Sequence, residues 1–138
     1  MPARQFFDTN ILLYGYDLDA PDKRAVAMEL LHRAWAKPGS VAISVQVLQE
    51  FTVNFTRKGY PDEEARLLIN DFCQWPVIDN SLTLFGHGLK IREQWKLSLW
   101  DAMIIAAAHA SGASELMTED LNHGQSYGNV RAVNPFQR

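Results

Sequence analysis

Four acidic side chains stand where a fold could gather them. Asp8 closes the run Phe6-Phe7 and Asp120 follows Leu116-Met117, so both fall just past the end of a short expected strand. Asp101 stands three residues after Ser98, at the start of the apolar segment Ala102–Ala108, and Glu50 shares a helical stripe with Gln46, Asn54 and Arg57. In a parallel sheet, strand ends and the starts of the following helices share one edge. Carboxylates brought together there repel, and like charges force protonation or strain unless a cation compensates. Oxygen-only donors select a hard ion, so Mg²⁺, with Mn²⁺ as a substitute, fits better than zinc.

Each acid also has a simpler use. Asp8, with Thr9 and Asn10, suits the cap of the next helix, and Ser98 with Asp101 fits a Ser-x-x-Asp capping box. Glu50 reads equally as a solvated helix residue, and Asp120 with Thr118 as a turn former. Joint placement carries the metal reading, not any single acid. His32, His87, His109 and His123 show no metal-ligand spacing and read as surface or core residues, His123 being the one nearest an acid of the set. Trp35, Trp75, Trp95 and Trp100 read as packing residues.

The elements that must position these groups follow from apolar spacing and local stop signals. Strands are expected at the first apolar run, at Val41–Ile43, weakly at Pro76–Ile78, at Glu115–Met117 and at Val130–Val133. Between them the spacing predicts helices over 11–16, from Pro21 to Ala36, after Ser44, from Pro61 to about Trp75, over 82–95 and from Ser98 to Gly112. Gly86 and Gly88 weaken the fifth of these, since glycine costs about 1 kcal/mol against alanine in a helix. Gly86-His87-Gly88 lacks the third glycine and preceding strand of a dinucleotide fingerprint. Alternating strands and helices predict an α/β fold, a three-layer sandwich with a central parallel sheet flanked by helices.

With 138 residues and 47% hydrophobic content, the chain suits a single domain, residues 1–138. Thirteen basic against sixteen acidic residues give a net charge of −3, so a nucleic-acid partner must be held by a local basic patch. Arg57, Lys58, Lys90, Arg92, Lys96 and Arg131 are candidates for such contacts. Cys73 is the lone cysteine, which excludes an intramolecular disulfide and a cysteine zinc site. Met1–Gln5 lacks the apolar core of a signal peptide and no run is long enough to span a bilayer, so a cytoplasmic protein without membrane contact is expected.

Together, Phe6-Phe7-Asp8-Thr9-Asn10-Ile11-Leu12-Leu13-Tyr14, Glu50, Leu99-Trp100-Asp101-Ala102 and Leu116-Met117-Thr118-Glu119-Asp120-Leu121 resemble a PIN-domain protein of the VapC toxin type. The resemblance reaches from the first strand to Asn134-Pro135-Phe136 and covers nearly the whole chain. It implies a Mg²⁺-dependent endoribonuclease that hydrolyses RNA phosphodiester bonds, the toxin of a toxin-antitoxin pair, usually dimeric and bound by a small antitoxin. By position, Asp8, Glu50, Asp101 and Asp120 resemble the family's catalytic, metal-binding acids. Thr9, Asn10, Ser98 and Thr118 then become supporting or substrate-side groups, and Glu119 is open as a stand-in or assistant for Asp120. Two other readings compete: a non-catalytic RNA- or protein-binding module of this fold, and an aspartyl-phosphate phosphotransferase. Against the latter, the second aspartate of haloacid-dehalogenase-like enzymes is replaced by Asn10.

Overall fold

The computed structural model describes residues 4–137, and in it the apolar runs become the strands of a sheet. Met1–Ala3, part of the start read above for a leader, lie outside the described residues. Chain order is β1 (Gln5–Phe7), α1 (Thr9–Tyr14), α2 (Pro21–Ala36), β2 (Val41–Ser44), α3 (Val45–Arg57), α4 (Asp62–Phe72), β3 (Val77–Ile78), α5 (Leu82–Trp95), α6 (Leu99–Ala110), β4 (Glu115–Met117), β5 (Ser126–Tyr127) and β6 (Val130–Val133). Local chemistry sets most boundaries. Pro21 opens α2, whereas Ser44, Ser81 and Ser98 cap α3, α5 and α6 by accepting amide protons in the first turn.

The strands lie in the order β3-β2-β1-β4-β6-β5, all parallel except β5, which runs antiparallel to β6. Phe6 sits between Ala42 and Leu116 in register. Successive residues of a strand face opposite sides, and Phe6 and Phe7 are both fully buried, so both faces of the sheet are covered. That makes the three-layer α/β sandwich expected from the sequence. From β1 the chain moves outward to β2 and β3, then returns to lay β4 on the other side of β1. A crevice therefore opens beyond the carboxyl ends of β1 and β4, where open parallel sheets place ligands.

Helix α6 starts beside this crevice and runs back along the sheet. Ala102 to Ala108 are buried without interruption, as their all-round apolar character requires. Gln46 near the start of α3 donates to the Trp100 carbonyl at 3.2 Å, and Arg4 ahead of β1 donates to the Ser111 carbonyl at 2.7 Å. Helix α6 thus begins at the carboxyl edge of the sheet and ends at the amino edge, which puts Asp101 beside the crevice. Gly88 resolves the doubt over α5: a side chain there would meet Met103 of α6, so the glycine permits close helix packing.

Fully buried Phe51, Phe55 and Phe72 join the aromatic part of the core. Each such side chain contributes about 1.5–3 kcal/mol by leaving water. Several boundaries differ from expectation by a residue or two, and two of them bear on the site and the core. Helix α1 starts at Thr9, because Asp8 caps it, and α4 stops at Phe72, so that Trp75 turns inward to pack on Phe7 and Phe72. Strand β5 was not expected from sequence; its two residues reach β6 through Gly128-Asn129, with Gly128 at φ 68.

Candidate active site

At the crevice floor, Asp8 does two jobs at once. It is the cap of α1, its Oδ1 accepting the Thr9 amide at 2.7 Å, while its Oδ2 accepts the Thr118 hydroxyl at 2.7 Å across 110 residues of sequence. Capping and site placement coincide here. The Asp8 amide also donates to the Met117 carbonyl at 3.0 Å, carrying the β1–β4 pairing one residue past β1. Thr118, fully buried, accepts the Asp120 amide on its hydroxyl oxygen at 3.1 Å. One threonine thus couples two acids from different strands.

The remaining acids have their own tethers. Asn10 donates through Nδ2 to Asp120 Oδ2 at 3.1 Å, and the Thr9 hydroxyl donates to Glu50 Oε1 at 3.1 Å. Gln46 reaches the same Glu50 oxygen at 3.4 Å while holding the Trp100 carbonyl, so it joins the starts of α3 and α6. Ser98 accepts the Asp101 amide at 3.1 Å and fixes the turn that carries this carboxylate. Asp8 is buried, Glu50 and Asp101 are half-buried and Asp120 is exposed, which grades the cluster from floor to rim.

Their charges act on one another. Burial pushes the Asp8 carboxyl from 3.8 up to about 7; the bonds from Thr118 and Thr9 oppose this, and the charges of Asp120 and Glu50 add to it. Asp120, exposed as a residue but with its carboxyl partly desolvated among its neighbours, is raised as well, first by that desolvation and then by the charges of Asp101 and Glu119, against the bond from Asn10. These influences link all four acids expected from sequence, together with Glu119. Glu119 itself turns aside, taking the Tyr14 hydroxyl on Oε1 and the Lys23 ammonium on Oε2.

The donor set suits a hard divalent cation in kind, being carboxylate oxygens without sulfur or imidazole. Asn10 Oδ1, beside Asp120, is buried without a hydrogen-bond donor, an orphan that a cation or its water would satisfy. Among the described residues, no three His, Cys, Asp or Glu side chains stand together at ligating separation. The histidines stay apart from this cluster: His123 Nδ1 accepts the Asn134 amide, and His109 Nε2 is bonded to the Tyr127 carbonyl. Of the basic candidates, Lys58 is paired with Asp17 at 3.0 Å.

Sequence reasoning did not find the Tyr14–Lys23–Glu119 group or the bridging role of Gln46. Neither has a local signature, since the partners lie 96 and 105 residues apart in one case and 54 in the other. Gln46 shares a stripe with Glu50, which is the one hint the sequence offers.

Comparison with known proteins adds a family and a fold. The model of the PIN domain matches residues 6–126. No curated protein matches the sequence. Among solved structures, a toxin-antitoxin complex from Klebsiella pneumoniae is similar at 26% identity and TM-score 0.69, over 95% of this chain and 97% of that one. VapC20 of Mycobacterium tuberculosis, described as a sarcin-ricin loop cleaving toxin, is similar at 21% identity and TM-score 0.57, over 84% and 91%. DNA-bound VapBC from Salmonella typhimurium is similar at 18% identity and TM-score 0.66, over 94% and 96%. The last two likenesses bear on the fold alone.

Proposed function

This chain belongs to the PIN-domain family, and on that premise we propose that it is a metal-dependent endoribonuclease, the toxin partner of a toxin-antitoxin pair. The observation that carries the reading is the meeting of Asp8 and the Thr118–Asp120 turn at the sheet's crevice, with the charges of Glu50 and Asp101 felt there. Carboxylates in this arrangement resist ionisation on their own and become useful around a cation. Asp8, Glu50, Asp101 and Asp120 would hold Mg²⁺ or Mn²⁺. When bound, the ion supplies Lewis-acid activation of water and neutralisation of charge on the phosphoryl oxygens.

The chain's own groups do the positioning. Thr118 and the Thr9 amide fix both oxygens of Asp8, Asn10 orients Asp120, and the Thr9 hydroxyl with Gln46 orients Glu50. Burial raises the Asp8 carboxyl to about 7 when no cation is bound, and a bound cation would hold it ionised as a ligand. No covalent enzyme intermediate is called for, and Asn10 stands where an aspartyl-phosphate enzyme would carry its second aspartate.

RNA as substrate, an antitoxin that covers the acidic crevice, a homodimeric state and a cytoplasmic setting are part of the same proposal. Support comes from the resemblance in the four acid-bearing motifs and from the similar toxin-antitoxin complex of Klebsiella pneumoniae. No helix among the described residues is long and apolar enough to cross a membrane. The test is RNA cleavage by purified protein with Mg²⁺ or Mn²⁺. Cleavage that disappears with EDTA and with Asp8→Asn is expected; no cleavage refutes the enzyme reading, and cleavage that survives EDTA refutes its metal dependence. Calorimetric titration with Mn²⁺ separates it from a non-catalytic module, which need take up no stoichiometric metal.

A further inference from the structure

Glu119 lies next to Asp120 in sequence but is bonded away from the crevice. Its Oε1 accepts the Tyr14 hydroxyl at 2.6 Å, a short charge-assisted bond, and its Oε2 accepts the Lys23 ammonium at 2.8 Å. Lys23 also donates to the Tyr14 oxygen at 3.2 Å and lies 4.8 Å from the Tyr14 ring centroid and 5.7 Å from that of Phe136. The rings of Tyr14 and Phe136 meet edge to face at 5.0 Å. Three elements, the end of α1, the start of α2 and the turn after β4, therefore close on one carboxylate. The Lys23–Glu119 pair is partly exposed, at 42% and 22%, so its contribution to stability is small. Its geometric effect is larger. With the Thr118 hydroxyl bonded to Asp8 and to the Asp120 amide, and Glu119 clamped by Tyr14 and Lys23, the two residues immediately before Asp120 are both fixed.

We propose that Glu119 is a positioning residue: Tyr14 and Lys23 clamp it, and the clamp aims the Asp120 carboxylate into the crevice. Glu119 is thus neither a substitute metal ligand nor a loose surface charge. The placement of Asp120 as a ligand rests on the proposed metal-dependent reading, whereas the clamp itself is a property of the metal-free chain. Outer groups that orient a metal's ligands typically change affinity or activity by about 10–100-fold when removed.

Two measurements on the purified full chain keep these apart. In metal-free protein, hydrogen exchange at the Asp120 amide, which is bonded to Thr118, should speed up about tenfold in Glu119→Ala and in Tyr14→Phe, with the Phe6 and Phe7 amides unchanged. Tyr14→Phe keeps the ring contact with Phe136, so it tests the hydroxyl alone. By calorimetry, Mn²⁺ affinity should fall about tenfold in both variants, with Glu119→Gln, which retains an acceptor for Tyr14, closer to wild type. Unchanged exchange at Asp120, or acceleration shared equally by the core amides, overturns the clamp. Faster exchange with wild-type Mn²⁺ affinity overturns its role in aiming Asp120. If wild-type protein takes up no Mn²⁺, the metal reading fails and with it the placement of Asp120 as a ligand, while the exchange result still decides whether the clamp exists.

Discussion

Replacing Asp8 by asparagine should make the metal-free protein more stable while removing its proposed activity. The Asp8 carboxyl is raised from 3.8 to about 7 in the folded chain, so its neutral form favours folding and its ionised form opposes it. Stability from this group is fully present below pH 3.8 and is lost as pH rises towards and through about 7. At about 1.4 kcal/mol per pH unit, the full gap amounts to ~4 kcal/mol, of which ~3 kcal/mol falls between pH 5 and pH 8. Against a typical domain stability of about 5–15 kcal/mol, that is a large fraction. Asparagine keeps an oxygen for the Thr9 amide, and its NH₂ donates to the Thr118 oxygen in a bond reversed from the one Thr118 gives Asp8. Urea unfolding in EDTA at pH 5, 6.5 and 8 measures the difference between wild type and variant, which isolates this residue from all other titrations. The difference should grow with pH in the variant's favour. Added Mn²⁺ should then restore wild type at pH 8, by ~2.7 kcal/mol at a hundredfold excess over Kd, and leave the variant unmoved. Parallel pH curves, or a variant less stable than wild type at pH 8, would refute the claim that the crevice stores electrostatic strain.

Other outcomes follow from single contacts. Thr118→Val removes the hydroxyl that bonds a buried charge and accepts the Asp120 amide; it should cost about 1.5–3 kcal/mol at pH 8 and less at pH 5, where Asp8 is mostly neutral, as urea titration at both pH values would show. Lys96→Gly relieves a left-handed residue at φ 57 on the exposed end of α5, and thermal unfolding should report a gain of about 1 kcal/mol. The bond from Lys58 holds the Asp17 carboxyl below its ordinary 3.8, with the Asp19 amide assisting, so this pair's stability is present above pH 3.8 and disappears on acidification through the lowered value. Lys58→Met should flatten that acid limb by less than about 1 kcal/mol, read from stability between pH 5 and pH 2.

How much of this was legible in the sequence depends on the range of the interaction. Ser44, Ser81, Ser98 and Pro21 announce helix starts because a cap acts on the two or three residues after it. Strands β1, β2, β4 and β6 announce themselves as short apolar runs, and their alternation with helices carries the sheet. Strand β5 does not, since Ser126 and Tyr127 pair through a turn and contain no run at all. Asp8 looked like a cap or a site residue, and the structure makes it a cap whose other oxygen meets Thr118, a contact no local pattern encodes. The same limit hid Gln46, whose value lies in reaching Trp100, and Glu119, whose neighbours in space are Tyr14 and Lys23. Acidic residues could be chosen by where strands end; their tethers required the folded chain.

Strand β4 lies beside β1 although 107 residues separate Phe7 from the start of β4 at Glu115. During synthesis on the ribosome, the amino-terminal half can assemble β1, β2 and their helices long before Thr118 emerges to meet Asp8. Any nascent or prematurely terminated chain that stops short of that residue carries an unfinished crevice. For a molecule proposed to attack RNA, assembly order then delays the complete set of four acids until Asp120 has been made.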